Sequence, residues 1–162
     1  MYLCRLLKSV SKDYQKIHVR GISFDSRKVK KGDIFFAIRG NKKSGINFIN
    51  DAISKGASAI VSSKKVKYTN SNVPLLLVKD VRKSLSEACS KFYKKKSPNI
   101  IAVTGTNGKS SVADFFYQIL NFNRISVASI GTLGVFSKDY IKKTNLTSMD
   151  PLSLHKNLEI LA

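Results

Sequence analysis

Tryptophan is absent from the sequence, and cysteine, methionine and proline are scarce at two, two and three residues. Cys4 and Cys89 stand far apart, with neither a C-x-x-C spacing nor a histidine pattern around them. That argues against a disulfide scaffold and a cysteine-ligated zinc site, and it reads as reduced, buried or incidental thiols of a cytosolic protein. No apolar run approaches the roughly 18–20 residues that a membrane span needs. The first residues, Met1-Tyr2-Leu3-Cys4-Arg5-Leu6-Leu7-Lys8, meet charge too early for a secretory leader. Acid is scarce as well: ten aspartates and glutamates face 29 lysines and arginines, for a formal net charge of +19. What remains, 43% hydrophobic and 24% charged, is a globular composition, and 162 residues suffice for one ordinary domain or two small ones.

So basic a balance invites a nucleic-acid reading. The pattern argues against it. Lysine supplies 23 of the 29 basic side chains, scattered along the chain. Lysine, isoleucine and asparagine rise together, as an A+T-rich coding sequence would produce. The densest run, Lys94-Lys95-Lys96, falls where a helix should end and complements its dipole. No RNA-binding aromatic motif or helix-turn-helix pattern stands out. A basic nucleic-acid-binding protein stays the weaker alternative, and neither nucleic acid nor membrane is expected as a partner.

Along the chain, Leu3, Leu6, Leu7 and Val10 predict a short amphipathic helix. Ile17–Phe24, Ile34–Ile38, Ala57–Val61 and Pro74–Val78 read as strands, several nearly all apolar, as in a buried parallel sheet. Between them, Phe48, Ile49, Ala52 and Ile53 give a helix stopped by Gly56. Asp80 caps a further helix through Leu85, Ala88, Cys89 and Phe92. Lys94–Pro98 is the best linker in the sequence, which places domains at 1–96 and 97–162.

The stretch that carries chemistry is Ile100–Asp114. Ile100-Ile101-Ala102-Val103 predicts a short buried strand, and Thr104–Gly108 a turn of small residues. A helix then opens, with Val112, Phe115, Phe116, Ile119 and Leu120 on one face. Strand, glycine turn and helix N-terminus together make a phosphate site, because glycines let backbone N–H groups approach an anion at the positive end of the helix dipole. Gly105, Thr106, Asn107, Gly108, Lys109, Ser110 and Ser111 are the candidate ATP contacts. Lys109, the candidate catalytic residue, would set its ammonium against the β- and γ-phosphates, and the Ser110 hydroxyl would hold Mg²⁺. The strict G-x-x-x-x-G-K-[ST] pattern needs glycine where Val103 stands, so a glycine turn with a surface lysine is the plainer alternative.

Beyond the loop, Ile125–Ile130 reads as the next strand of a βαβ unit and Gly131–Val135 as a glycine-rich turn at its carboxyl end. Tyr140–Thr144 is a candidate hairpin strand. Asp150-Pro151 starts a helix, with proline at its first position and Leu154, Leu158 and Leu161 at helical spacing. Only about two strands of a parallel sheet are accounted for after residue 99, against the five or six usual in open α/β sheets. The second domain therefore reads as incomplete. His18 reads as structural, and His155 has no assigned role.

Several stretches, in order along the chain, resemble the Mur ligases of peptidoglycan synthesis. Asp25-Ser26-Arg27-Lys28-Val29-Lys30-Lys31-Gly32-Asp33-Ile34-Phe35-Phe36-Ala37-Ile38-Arg39-Gly40 is similar to the N-terminal signature of members that add the third residue, or the terminal dipeptide, to the peptide stem. In that family the signature precedes a loop and a helix ending in Lys-Gly-Ala, here Lys55-Gly56-Ala57. Thr104–Ser110 resembles the family's nucleotide loop, which itself lacks the first glycine, so Val103 fits. Gly131-Thr132-Leu133-Gly134 and Leu146-Thr147-Ser148-Met149-Asp150-Pro151 most resemble the third-residue-adding branch. Ser148 and Met149 depart from its usual Thr-Thr-Pro, keeping a hydroxyl but losing proline's rigidity.

The resemblance implies an α/β chain: a small N-terminal UDP-substrate domain, then the start of a P-loop-type parallel-sheet ATPase domain, truncated. It implies a cytoplasmic ATP-dependent amide ligase with Mg²⁺. ATP would phosphorylate the carboxylate of UDP-N-acetylmuramoyl-L-Ala-D-Glu, and an amino acid amine would attack the acyl phosphate. By the same resemblance Ser26 contacts the uridine diphosphate end of the substrate, and Thr147 and Ser148 its sugar–peptide end. From the residues alone, Asp25 with Arg27 could equally be a surface ion pair, and Thr147 with Ser148 helix-capping hydroxyls. The family's remaining magnesium ligand, its modified lysine and its amino-acid-selecting domain would lie beyond Ala162, as a continuation or as a partner chain. The chain alone is expected to show no ligase turnover. A nucleotide- or UDP-sugar-binding module without chemistry is the alternative.

Overall fold

The computed structural model describes residues 1–8, 10–40, 44–68, 72–143 and 149–162. They divide into two compact units, Met1–Phe92 and Tyr93–Ala162.

The first unit runs α1 (Leu3–Leu6), β1 (Gly21–Ser23), β2 (Asp33–Phe36), α2 (Ile49–Ser54), β3 (Ala59–Ser62), β4 (Leu75–Leu77) and α3 (Val81–Phe92). The strands form one parallel sheet in the order β1-β2-β3-β4, with Ile34 registered between Ile22 and Ala59. β2 and β3 are central and buried along their whole length, which is why they read as continuous apolar runs. Strand side chains alternate between faces. Phe35 and Ile60 join Val29, Ile49, Ala52 and Ala57 in one core cluster under α2. Ile34, Phe36 and Val61, the alternate positions, are fully buried too, as are Leu3, Leu6, Leu85, Ala88 and Cys89 of α1 and α3.

The expected strand Ile17–Phe24 is divided in the fold. Only Gly21–Ser23 joins the sheet, while His18 bridges to Tyr2 and the Val19 N–H donates to the Met1 carbonyl at 2.7 Å. The Met1 amino group lies 3.3 Å from His18 Nε2, and the Tyr2 ring meets the imidazole edge-on, so His18 belongs to the tie-down of the N-terminus. α3 is capped as the sequence predicts, with Asp80 Oδ1 accepting from the Lys83 N–H at 3.0 Å. It ends at Phe92, before the lysine run.

The second unit holds α4 (Lys109–Phe122), β5 (Ala128–Gly131), β6 (Gly134–Ser137), β7 (Ile141–Lys142) and α5 (Pro151–Leu161). Two expectations fail here. Ile100–Val103 forms no strand, and Ile100 and Ile101 stand 59% and 66% exposed. Nor does β5 continue a βαβ unit: it turns directly into β6, with Ser129 opposite Phe136, and β7 extends an antiparallel ribbon. A buried parallel strand needs partners on both edges and cover on both faces. A hairpin needs only its own neighbour, so it is what local sequence can form. α5 starts as expected, with Asp150 accepting from the Ser153 N–H at 2.9 Å and Pro151 in its first turn.

α4 buries none of its side chains. Val112, Phe115, Ile119 and Phe122 face outward, Phe122 at 87% exposure, while Ala113, Asp114 and Tyr117 are half-buried.

Candidate functional site

The glycine loop of the second unit runs from Thr104 into α4. Gly108 is the residue before the helix and adopts φ +76°, in the left-handed region. A Cβ there would touch nothing within 4 Å, so glycine answers to backbone conformation and not to crowding. Among the described residues no side chain caps the helix at this point. An uncapped helix N-terminus presents N–H groups and the positive dipole end to whatever anion comes there. The Lys109 ammonium curls back over the loop, donating to the carbonyl oxygens of Gly105 and, at 3.1 Å, Thr106. Thr106, Asn107, Ser110 and Ser111 are exposed beside it. The structure thus brings the predicted phosphate contacts into one open loop, although the strand expected to feed it is not formed.

Ser110 also lines a cavity of about 120 Å³ beside the loop. Asp114 and Tyr117 close it from the next turns of α4, and Ser129, Thr132 and Phe136 from the β5–β6 hairpin. Asp114 accepts from Gln118 Nε2 at 2.6 Å. Among the described residues no group of three or more His, Cys, Asp or Glu side chains could enclose a metal ion. A single hydroxyl at the mouth of a phosphate loop still suits Mg²⁺, which keeps most of its water and takes other ligands from the nucleotide. Thr147 and Ser148 lie outside the described residues.

In the first unit, Ser26 sits in a turn that leaves β1. Asp25 opens it, its Oδ1 accepting from the Arg27 backbone N–H at 3.1 Å and from Arg27 Nε at 3.0 Å, with the Arg27 terminal nitrogen 2.8 Å from Oδ2. The surface ion pair anticipated for Asp25 and Arg27 is therefore present, and the guanidinium stays 85% exposed. The Arg27 hydrogen bond holds the Asp25 carboxyl below its ordinary range. Ser26 itself is buried at 6% exposure. Its carbonyl accepts from Lys55 Nζ at 3.0 Å, and the same ammonium lies 3.2 Å from an Asp51 oxygen. Hydrogen bonding from Ser26, and then from Lys55, keeps the Asp51 carboxyl low. Lys55 entered the sequence reading only as part of Lys55-Gly56-Ala57, and its contact with Ser26, like Asp51 itself, escaped it. The signal for their pairing was an i, i+4 acid–base spacing, which is commonplace.

His155, on α5, has its Nδ1 buried without a hydrogen-bond partner among the described residues. Burial, reinforced by Lys96, pushes its pKa down.

A glycine loop opening on an uncapped helix beside a lysine, in an α/β chain, defines the phosphate-binding class of nucleotide proteins. Comparison with known proteins narrows the class. The "Mur ligase family, catalytic domain" model matches residues 18–93 and the "Mur ligase middle domain" model residues 103–162. The chain belongs to the Mur ligase family. Similar proteins include the UDP-N-acetylmuramoyl-L-alanyl-D-glutamate–2,6-diaminopimelate ligase of Rhizobium meliloti, 43% identical over 150 residues, 93% of this chain and 31% of that protein. The ligase of the same name from Rickettsia conorii is 42% identical over 153 residues, 92% of this chain and 32% of its own length. A solved structure of such a diaminopimelate ligase superposes on all of this chain with a TM-score of 0.80 at 26% identity, over 33% of its own length. The MurF ligase of Thermotoga maritima in complex with ADP gives 0.57 at 28% identity, over 85% of this chain and 29% of its own. The chain spans about a third of the length of the relatives it matches.

Proposed function

We propose that this chain forms the N-terminal UDP-substrate domain and the beginning of the ATP-binding domain of a cytoplasmic amide ligase. The ligase would add the third amino acid to UDP-N-acetylmuramoyl-L-Ala-D-Glu at the expense of ATP. The names of its relatives favour 2,6-diaminopimelate as the amino acid that the whole protein adds. The carrying observation is the Gly105–Ser111 loop at the start of α4, with Lys109 donating to the loop carbonyls of Gly105 and Thr106. Phosphoryl transfer asks a protein for positioning and charge neutralisation more than for covalent chemistry. Lys109 would exchange the Gly105 and Thr106 carbonyls for phosphate oxygens. Backbone N–H groups at Gly108–Ser111 would hold the same phosphates, and the Ser110 hydroxyl would take Mg²⁺. In the first unit Ser26 would contact the uridine diphosphate end of the substrate. Thr147 and Ser148 are assigned to its sugar–peptide end.

Calorimetry of Mg-ATP against the chain and its Lys109→Ala variant, with urea melts of both, tests this reading. Saturable binding that the variant loses, at an unchanged urea midpoint, is the expected result. A cooperatively folded chain that binds no nucleotide would overturn it. Binding without turnover is the behaviour favoured for the chain in isolation, because the second unit leaves the apolar faces of Ile100–Val103 and α4 bare.

A further inference from the structure

The Lys55-Gly56-Ala57 motif is not absorbed by any step above, yet its geometry ties it to the Ser26 turn. Lys55 stands 29 residues from Ser26 in sequence, and its ammonium is shared between the Ser26 carbonyl at 3.0 Å and the Asp51 carboxylate, 3.2 Å from one oxygen and 3.3 Å from the other. A charged donor makes the stronger kind of hydrogen bond. Asp51 precedes Lys55 by one helical turn, the favourable order for such a pair, so α2 presents the ammonium already aimed.

The helix end is itself fixed. Gly56 has φ +89°, a conformation that a side chain resists, and its carbonyl accepts from the Gly32 N–H at 2.8 Å. A Cβ at Gly56 would press within 3.1 Å of the Lys31 Cα. Just after it the Ala57 N–H donates to the Ala52 carbonyl at 3.0 Å. Lys55 therefore reaches out from a rigid base.

The turn it reaches is held from two other directions. Ser23 Oγ donates to the Asp25 carbonyl at 2.9 Å from the end of β1, and Asp25 is locked to Arg27. The peptide between Ser26 and Arg27 is gripped at both ends, its N–H by Asp25 Oδ1 at 3.1 Å and its carbonyl by Lys55 at 3.0 Å, and Lys55 is the grip that comes from outside the turn. A half-exposed Asp–Lys pair stabilises a fold little. Its distinctive consequence is local: Lys55 places the Ser26 carbonyl, while Asp51 takes the hydrogen bond of the Ser26 side chain.

We propose that Lys55, pinned by Asp51, is the positioning residue of the Asp25–Ser26–Arg27 turn and sets how tightly a uridine diphosphate group is held there. This rests on the reading of that turn as the uridine-diphosphate contact. The test titrates uridine diphosphate by calorimetry into the full chain and its Lys55→Met, Lys55→Arg and Asp51→Asn variants, with urea melts alongside. Lys55→Met weakens binding about tenfold at a nearly unchanged midpoint, the scale of one charge-assisted hydrogen bond, and Lys55→Arg restores most of it. If Lys55→Met fails to fold, Asp51→Asn carries the comparison, with a severalfold loss expected. Backbone amide exchange at Arg27 and Lys28 rises about tenfold in Lys55→Met whether or not ligand is added, as one lost restraint requires. Wild-type affinity retained in Lys55→Met, or unchanged exchange, overturns the proposal and leaves the reading of the turn intact. A wild-type chain that binds no uridine diphosphate refutes that reading, and the proposal falls with it.

Discussion

Single residues in this chain divide into those whose role shows in the residue type and those whose role needs a distant partner. Gly56 is of the first kind: its φ of +89° and its contact with the Lys31 backbone make Gly56→Ala cost about 1 kcal/mol or more, measurable by urea unfolding. Lys55 and His155 are of the second. The His155 pKa is lowered in the fold, so the unfolded chain binds the additional proton between the folded value and 6.5. The stabilising contribution is whole above 6.5 and lost as pH falls through the folded value. Thermal melts at pH 7.5 and 5.5 should show the second unit weaker at the lower pH, and His155→Gln should flatten that difference. Asp25 and Asp51 act in the same direction further down, present above the ordinary carboxylate value of 3.8 and lost below it.

At the level of elements, α2 and α4 make the contrast. α2 places Ile49 and Ala52 against Phe35 and Ile60 in the core cluster, and Phe35 is 1% exposed. Phe35→Ala should therefore cost about 3–5 kcal/mol by denaturant melts, the loss typical of a buried aromatic ring. α4 carries larger apolar residues and buries none. Replacing Phe115 and Phe122 by serine should change stability by less than about 0.5 kcal/mol, as exposed sites generally do. The same pair of changes should lower binding of a dye that reports on apolar surface. The periodicity of Val112, Phe115, Phe116 and Ile119 was legible as a helix that wants cover, and the helix is there. Ile100–Val103 was legible only as a strand that wants neighbours. Propensity named the want correctly, and the absence of partners among the described residues decided the outcome. The β1–β4 strands succeeded because each has its neighbour within ninety-odd residues of chain. The contact of the Asp51–Lys55 pair with Ser26 could not be read from sequence, since nothing in an i, i+4 pair says which turn 29 residues away it will meet.

For the molecule as a whole, two units built on different sheets should behave unequally. The first has a four-stranded parallel sheet with buried central strands and should unfold cooperatively. The second rests on a hairpin ribbon and two helices and should open first, with hydrogen exchange at α4 and β5 faster than at β2 and β3. Purified alone, the chain should form no amide bond above the rate of its Lys109→Ala variant, assayed with ATP, the UDP-muramoyl dipeptide and diaminopimelate. The two cysteines give these differences a chemical clock. Neither forms a disulfide, and Cys4 is exposed while Cys89 is fully buried in α3, so an alkylating reagent meets one at once and the other only when the first unit opens. The lag between the first and second adduct in a mass spectrum would time that opening directly, with no residue changed in the protein.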